Sequence, residues 1–262
     1  MTDPNFANLL PSLKAIAREA GRAILDCYER SDCASDTKAD GTPVTAADHA
    51  AEAIILPALH RLAPEIPAIS EERHAAGGSP ELRHGTFWLI DPLDGTRSYV
   101  ERTGEFTVNI GLIRDGVPVL GVIYAPVTDD LYAAAGPGTA VHAARGTEET
   151  TISARLPPPE GLTVLASRSH GSREKLEHYL AGERLFDQRL CSSSLKFCFL
   201  AAGLADIYPR FGPTCEWDTA AGHAILLAAG GSILTPDGRP LAYAKPEFLN
   251  PDFIAFGRRT QA

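Results

Sequence analysis

Asp91 and Asp94 are the residues of this chain best spaced to do chemistry. They stand in Trp88-Leu89-Ile90-Asp91-Pro92-Leu93-Asp94-Gly95-Thr96, where an apolar run gives way to two carboxylates, a glycine and a threonine. The run Phe87 to Ile90 predicts a buried strand. Pro92 is expected to end it, because proline cannot donate to a sheet ladder. Both carboxylates then leave the strand end and converge. Carboxylates held that close repel each other unless a cation lies between them. Mg²⁺ takes oxygen ligands, commonly from one or two carboxylates, and completes its shell with water and phosphate. Gly95 lets the backbone approach a ligand closely, and the segment after it can open a helix whose N-terminus favours an anion. The turn therefore suits metal on one side and phosphate on the other. Its plainer reading is an acidic turn that caps a helix.

Three further acidic groups share this character. Pro67-Ala68-Ile69-Ser70-Glu71-Glu72 is a short apolar segment ending in paired glutamates, which alone reads as a solvated face. Glu216-Trp217-Asp218 precedes an alanine-rich helix that closes at Gly230-Gly231, with Asp218 where an N-cap would stand. Thr45 and Asp48 in Pro43-Val44-Thr45-Ala46-Ala47-Asp48 have the spacing of a capping box.

Glu71-Glu72, Asp91-Pro92-Leu93-Asp94-Gly95-Thr96 and Trp217-Asp218-Thr219-Ala220-Ala221-Gly222 resemble, in order and spacing, the three signatures of the inositol monophosphatase superfamily. Pro43 to Asp48, Gly104 to Ile110, Ser193-Ser194-Leu195-Lys196-Phe197-Cys198 and Tyr208 to Thr214 resemble its CysQ-type 3'(2'),5'-bisphosphate nucleotidase branch. The resemblance runs from Lys38 to Phe256. It implies the sugar-phosphatase fold, an α/β (α+β layered) architecture of alternating helix and mixed-sheet layers, with the site at the junction of two halves. It departs from the branch pattern at Ser192, where glycine is expected, and at Arg97-Ser98-Tyr99-Val100, where a lysine and a glutamate are expected.

By the same resemblance, Glu71, Asp91 and the Leu93 carbonyl would hold a first Mg²⁺. Asp91, Asp94 and Asp218 would hold a second, and two or three ions are expected in all. Thr96, oriented through Asp48 or Glu71, would position a water for in-line attack on phosphorus, with no phosphorylated side chain. Backbone groups of Gly95 and Thr96 would cradle the phosphate. Ser193, Lys196, Arg210 and His170 would contact the nucleotide, the lysine and arginine clamping its second phosphate. Glu72 is expected to support the site from behind, and His223 to be structural. The implied reaction converts adenosine 3',5'-bisphosphate to AMP and phosphate, with 3'-phosphoadenylyl sulfate as a second substrate, in sulfur assimilation and with inhibition by Li⁺. The alternatives are a phosphatase for inositol or sugar monophosphates and a non-catalytic nucleotide-binding protein.

Composition bounds the surroundings of this chemistry. With 262 residues, the chain is long enough for a sizeable core in one domain or two joined halves. Its five cysteines are odd in number and lack metal-type pairing, which fits a reducing compartment. No basic-then-apolar leader and no spanning run is found, so the expected location is the cytoplasm, free or peripheral at the inner face of the cell membrane. The formal charge of −9 repels polyanions at long range, arguing against a nucleic-acid polymer as partner. Bound divalent ions would have to invert the local field for a bisphosphate to dock.

Alternating elements are predicted to hold these groups. Phe6 to Leu25 shows helical spacing, and a polar loop is expected from Ser31 to Thr42. A helix from Ala46 to Arg61 follows, kinked at Pro57. Thr107–Ile113 and Val117–Tyr124 predict a hairpin around Asp115-Gly116. Leu131–Ala135 and Ala140–Ala143 form a second strand pair. The proline-rich stretch from Leu156 to Gly161 divides an N-terminal half, residues 1–155, from a C-terminal half, residues 156–262. In the second half a strand begins at Val164, another is expected over Ala205–Tyr208, and helices are expected over Ser172–Ala181, Ser193–Ala202 and Thr219–Ala229.

Overall fold

The amphipathic N-terminal run forms α1 (Pro4–Ala7) and α2 (Leu10–Glu29), which buries Leu13, Ile16, Ala17, Ala20 and Ile24 along one stripe. The computed structural model describes residues 4–30, 35–37, 43–78, 80, 82, 85–168 and 171–259. The polar stretch expected to be a loop holds a strand, β1 (Ser35–Thr37), paired antiparallel with β2 (Pro43–Thr45). Strand formation there comes from the pairing partner rather than from an apolar pattern. Helix α3 (Ala46–Leu62) starts at an N-cap Thr45 and continues through Pro57.

Seven strands build the first sheet, in chain order: β3 (Ala68–Ser70), β4 (Thr86–Asp94), β5 (Thr107–Arg114), β6 (Val117–Ala125), β7 (Asp130–Ala135), β8 (Val141–Ala143) and β9 (Thr150–Thr151). β3 runs parallel to β4; the others are antiparallel. The β5–β6 hairpin turns at Asp115 and Gly116, both with positive φ (52° and 76°). Short helices α4 (Glu71–Ala75) and α5 (Thr96–Val100) follow β3 and β4. Pro92 does not end β4 as expected. The strand reaches Asp94, and its register against β5 shifts between Asp91 and Asp94. Within that irregularity the missing proline N–H has no ladder bond to make.

The second sheet comprises β10 (Leu162–Ser167), β11 (Leu185–Cys191), β12 (Ile207–Arg210), β13 (Ser232–Leu234) and β14 (Phe253–Phe256), in the order β11-β10-β12-β14-β13. Its helices are α6 (Arg173–Tyr179), α7 (Leu195–Ala201) and α8 (Glu216–Ala228). β11 escapes sequence reading because it is an edge strand whose residues are largely exposed.

Alternate residues of β4 face opposite layers: Trp88 and Ile90 pack with α2 and α3, Phe87 and Leu89 with α7 and α8. On their other side α7 and α8 meet Tyr208 and Phe253 of the second sheet, and α6 covers that sheet's far face through Leu176 and Leu180. Helix and sheet thus alternate through five layers, a mixed α/β architecture. One close approach fixes the central layer. Gly111 and Gly121 face each other on β5 and β6. A Cβ on Gly111 would lie 2.8 Å from both Ala220 Cβ and Ala221 N, and one on Gly121 would overlap the Ala221 backbone. The absence of side chains at this pair lets α8 sit directly on the sheet. The first sheet ends at Thr151 and the second begins at Leu162; between them Arg155 pairs with the buried Asp206 at 2.8 Å.

Candidate active site

Four chain segments bring the acidic groups together. Parallel β3 sets Ser70 beside Ile90, so Glu71, the next residue, arrives next to Asp91. Glu52 on α3 holds this start of α4, accepting from Ser70 Oγ at 2.5 Å and from Arg73 N at 3.1 Å. The Leu93 N–H donates to Asp91 Oδ1 at 3.1 Å, which turns that buried carboxylate back toward the bulge. Asp218 is not the N-cap of α8. Cys215 occupies that position and Asp218 is N3, accepting the Cys215 N–H through Oδ2 at 2.8 Å. Carboxylate oxygens of Glu71, Asp91 and Asp218 lie within 4.8 Å of one another. Burial, reinforced by Asp94 and Glu71, pushes the Asp218 carboxyl well above the usual carboxylate range.

Asp94 stands beside this trio in a polar network. Ser194 Oγ lies 2.7 Å from Asp94 Oδ2 and 2.8 Å from the Asp218 carbonyl, so its one proton serves both acceptors. Asn109 Nδ2 donates to Ser194 Oγ at 2.8 Å and to Asp94 Oδ2 at 3.3 Å, and Thr107 Oγ1 donates to Asn109 Oδ1 at 2.9 Å. β5 is thereby tied to the start of α8. On the opposite side, Thr96 Oγ1 lies 3.2 Å from the Leu93 carbonyl and 3.4 Å from Asp48 Oδ1. The capping box is formed: Asp48 Oδ2 accepts from Thr45 N and Thr45 Oγ1, both at 2.7 Å. Gly95 has φ of +94°, a conformation that suits a residue without Cβ.

The basic groups line the same cleft. A cavity of about 470 Å³ is bordered by Glu71, Asp91, Leu93, Asp94, Gly95, Thr96, Ser193, Lys196, Arg210 and Asp218. Lys196 is buried, its Nζ donating to the carbonyls of Ser193 at 2.6 Å and Cys191 at 3.1 Å. Burial pulls its pKa down. Arg210 ends β12, rather than following a strand, and donates to the Pro213 carbonyl at 2.8 Å. Ser193 does not share a helical face with Lys196. It precedes α7 in the left-handed region, at φ 56°. A second hollow of about 800 Å³ adjoins the first through Ser167 and Arg210. His170 lies outside the described residues. Glu72 is buried beside the site, and His223 is buried against the Tyr243 hydroxyl at 3.0 Å.

Sequence reasoning assigned no role to Glu52, Asn109, Ser194 or Glu105. Thr107 and Asn109 did carry a signal, being polar residues inside an apolar strand. Glu52 carried none, because its partners come from another element.

Glu71, Asp91 and Asp218 offer carboxylate oxygens, and their mutual repulsion is relieved by a hard divalent cation, so the cleft fits Mg²⁺. Fold and cleft together define the class: a layered α/β protein whose oxygen-rich site suits a divalent cation beside a phosphate. The chain belongs to the inositol monophosphatase family, whose model matches residues 7–259. The 3'(2'),5'-bisphosphate nucleotidase CysQ of Shigella flexneri is 46% identical over 251 residues, 94% of this chain and 98% of its own length. The CysQ of Escherichia coli K12 is 45% identical over the same coverage. The crystal structure of CysQ from Bacteroides thetaiotaomicron superposes with a TM-score of 0.78 at 37% identity, covering 97% of this chain and 98% of the other. An inositol monophosphatase from Anabaena superposes at 0.74 with 26% identity, covering 97% and 92%. No helix among the described residues is long and apolar enough to cross a membrane.

Proposed function

We propose that this chain is a Mg²⁺-dependent 3'(2'),5'-bisphosphate nucleotidase that converts adenosine 3',5'-bisphosphate to AMP and phosphate. One observation carries the reading: a single cavity is lined both by carboxylates and by two buried cations, Lys196 and Arg210. A bisphosphate offers one anion to a cation held by the carboxylates and a second to the basic groups. The identity to CysQ proteins supports the same assignment. 3'-Phosphoadenylyl sulfate carries the same 3'-phosphate and is the second substrate of this reading. Inhibition by Li⁺, a cytoplasmic location and a role in sulfur assimilation belong to it as well. So does a division of labour in which residues 1–155 carry the first metal motifs and residues 156–262 carry Lys196, Arg210 and Asp218.

Glu71, Asp91, the Leu93 carbonyl, Asp94 and Asp218 would hold the ions. When bound, divalent cations supply Lewis acidity at the phosphoryl oxygens and lower the pKa of water. Thr96 donates a hydrogen bond from its hydroxyl to Asp48 Oδ1 or to the Leu93 carbonyl, which leaves its oxygen lone pairs to accept a hydrogen bond from the attacking water. Attack is in line on phosphorus and expels the ribose 3'-oxygen directly. Backbone groups of Gly95 and Thr96 border the phosphate. Lys196 spends two donors on carbonyls and has a third for the second phosphate. Ser193, Arg210 and His170 complete the nucleotide contacts.

The test is phosphate release from adenosine 3',5'-bisphosphate and inositol 1-phosphate side by side, with Mg²⁺ and with chelator. Mg²⁺-dependent preference for the nucleotide is expected. Preference for the inositol ester would move the reading to an inositol or sugar monophosphatase, and silence on both to a nucleotide-binding protein.

A further inference from the structure

Glu105 lies just before β5 and bonds to groups that the reaction above does not engage. Its carboxylate accepts from Arg168 Nη2, at 2.9 Å through Oε1 and 3.2 Å through Oε2. Through Oε2 it also accepts the Ser192 backbone N–H at 2.9 Å. Its own carbonyl lies close against Gly95. A Cβ added to Gly95 would lie 2.9 Å from Glu105 O and 3.3 Å from Ser193 Cβ. The Gly95 turn and the Ser192–Ser193 turn thus lie against each other at the cavity border, and Glu105 meets both, the first through its carbonyl and the second through its carboxylate.

We infer that Glu105 is a positioning residue for substrate selection, fixing the Ser192–Ser193 turn, and with it the Lys196 ammonium, against the Gly95–Thr96 turn. This rests on the nucleotidase reading, in which a bisphosphate must be gripped at both phosphates. Ser193 sits at positive φ without being glycine, a conformation that persists only where the surroundings over-determine it. The Lys196 ammonium hangs from the carbonyls on either side of Ser192, so its position follows this stretch of backbone. The Glu105 carboxylate holds the N–H in the middle of that stretch, and an ionised acceptor on a backbone donor makes one of the stronger hydrogen bonds. The Arg168 pair is partly exposed, with side chains 39% and 29% accessible, and contributes less by itself. A substrate gripped only at the hydrolysed phosphate is indifferent to where Lys196 is held. A substrate gripped at both phosphates is not.

Adenosine 3',5'-bisphosphate and adenosine 3'-monophosphate differ only in the second phosphate, so kcat and KM for both, with Mg²⁺, read the placement of Lys196. Glu105→Ala is expected to raise KM for the bisphosphate about tenfold with kcat nearly kept, and to leave the monophosphate almost unmoved. Glu105→Gln, whose side-chain oxygen still accepts from Ser192, restores most of the loss. Arg168→Ala gives a smaller KM defect on the bisphosphate alone. Should Glu105→Ala not fold, Glu105→Asp, one methylene short of Ser192, gives the same KM defect. Equal losses on both substrates, a fall in kcat without change in KM, or no rescue by glutamine overturns the inference. Wild type without preference for the bisphosphate rejects the nucleotidase reading and this inference with it. A preference that survives Glu105→Ala rejects the inference alone.

Discussion

Helices α3 and α8 begin with the same device and serve the site differently. Each carries an aspartate at N3, and each aspartate spends Oδ2 on the N–H of its N-cap residue, Thr45 at 2.7 Å and Cys215 at 2.8 Å. The capping bond fixes where the second carboxylate oxygen stands. What faces that oxygen then sets its role. In Asp48 that oxygen, Oδ1, meets the Thr96 hydroxyl at 3.4 Å, whereas the Asp218 carboxylate stands against those of Asp94 and Glu71. The first is equipped to orient a hydroxyl, and the second to share a cation. On the proposed reading, one local motif therefore serves as a hydroxyl's partner or as a metal ligand according to its tertiary neighbours, not its own sequence.

The largest expected effect falls on the metal side. Asp218→Asn keeps an acceptor for the Cys215 N–H but weakens the cation site, and activity should drop by about a thousandfold or more. Asp91→Asn should do the same. Melting temperature without Mg²⁺ should hold or rise in Asp218→Asn, because a carboxylate crowded by its own kind is gone. Steady-state kinetics and calorimetry check both.

Asp48→Asn should lose about a hundredfold, the scale of a lost proton partner, with the fold intact. Equal losses at Asp48 and Asp218 would erase the distinction between the two helices. Thermal melts sharpen it further. Mg²⁺ at about a hundred times its Kd stabilises a bound fold by about 2.7 kcal/mol. That gain should appear in wild type and in Asp48→Asn and shrink or vanish in Asp218→Asn and Asp91→Asn.

Acid sensitivity should also divide by helix. His49 and His60 on α3 are exposed, whereas His223 on α8 is buried and held down to about 3 by burial. Its ordinary value is 6.5, so between 6.5 and 3 the unfolded chain binds a proton that the folded chain refuses. Stability at this site is therefore lost as pH falls through that window, by up to about 1.4 kcal/mol per pH unit. Melting curves of wild type and His223→Gln should converge or cross as pH falls from about 6.5 toward 5, the region the shifted histidine controls; parallel curves would remove His223 from the acid response.

The smallest effect is at the caps themselves. Thr45→Ala should cost about 1 kcal/mol, and Cys215→Ala less, because a thiol is a weak acceptor.

Much of this was legible in the chain because the informative signals are local. The capping box at Thr45 and Asp48 needs only four residues, and the hairpin at Asp115-Gly116 only its turn. Asp91 and Asp94 announce themselves by spacing. What misled was also local: Pro92 reads as a strand end, yet a bulge absorbs it. Ser193 reads as the first turn of a helix, yet it takes a positive φ that three consecutive serines do not advertise. Glu52 and Glu105 were invisible for a different reason. Their partners lie 18 and 87 residues away in sequence, and only the assembled layers bring them together.

The glycine pair beneath α8 bears on how such a chain can change over generations. Where Gly111 and Gly121 meet Ala220 and Ala221, the separation of sheet and helix is set by main-chain thickness, which every residue type shares. Leucine-for-isoleucine exchanges elsewhere can accumulate and repack without altering the reach of Asp218 toward Asp91. Four small residues thus uncouple the drift of the interior from the dimensions of the acidic cleft, and a single added methyl at either glycine would couple them again.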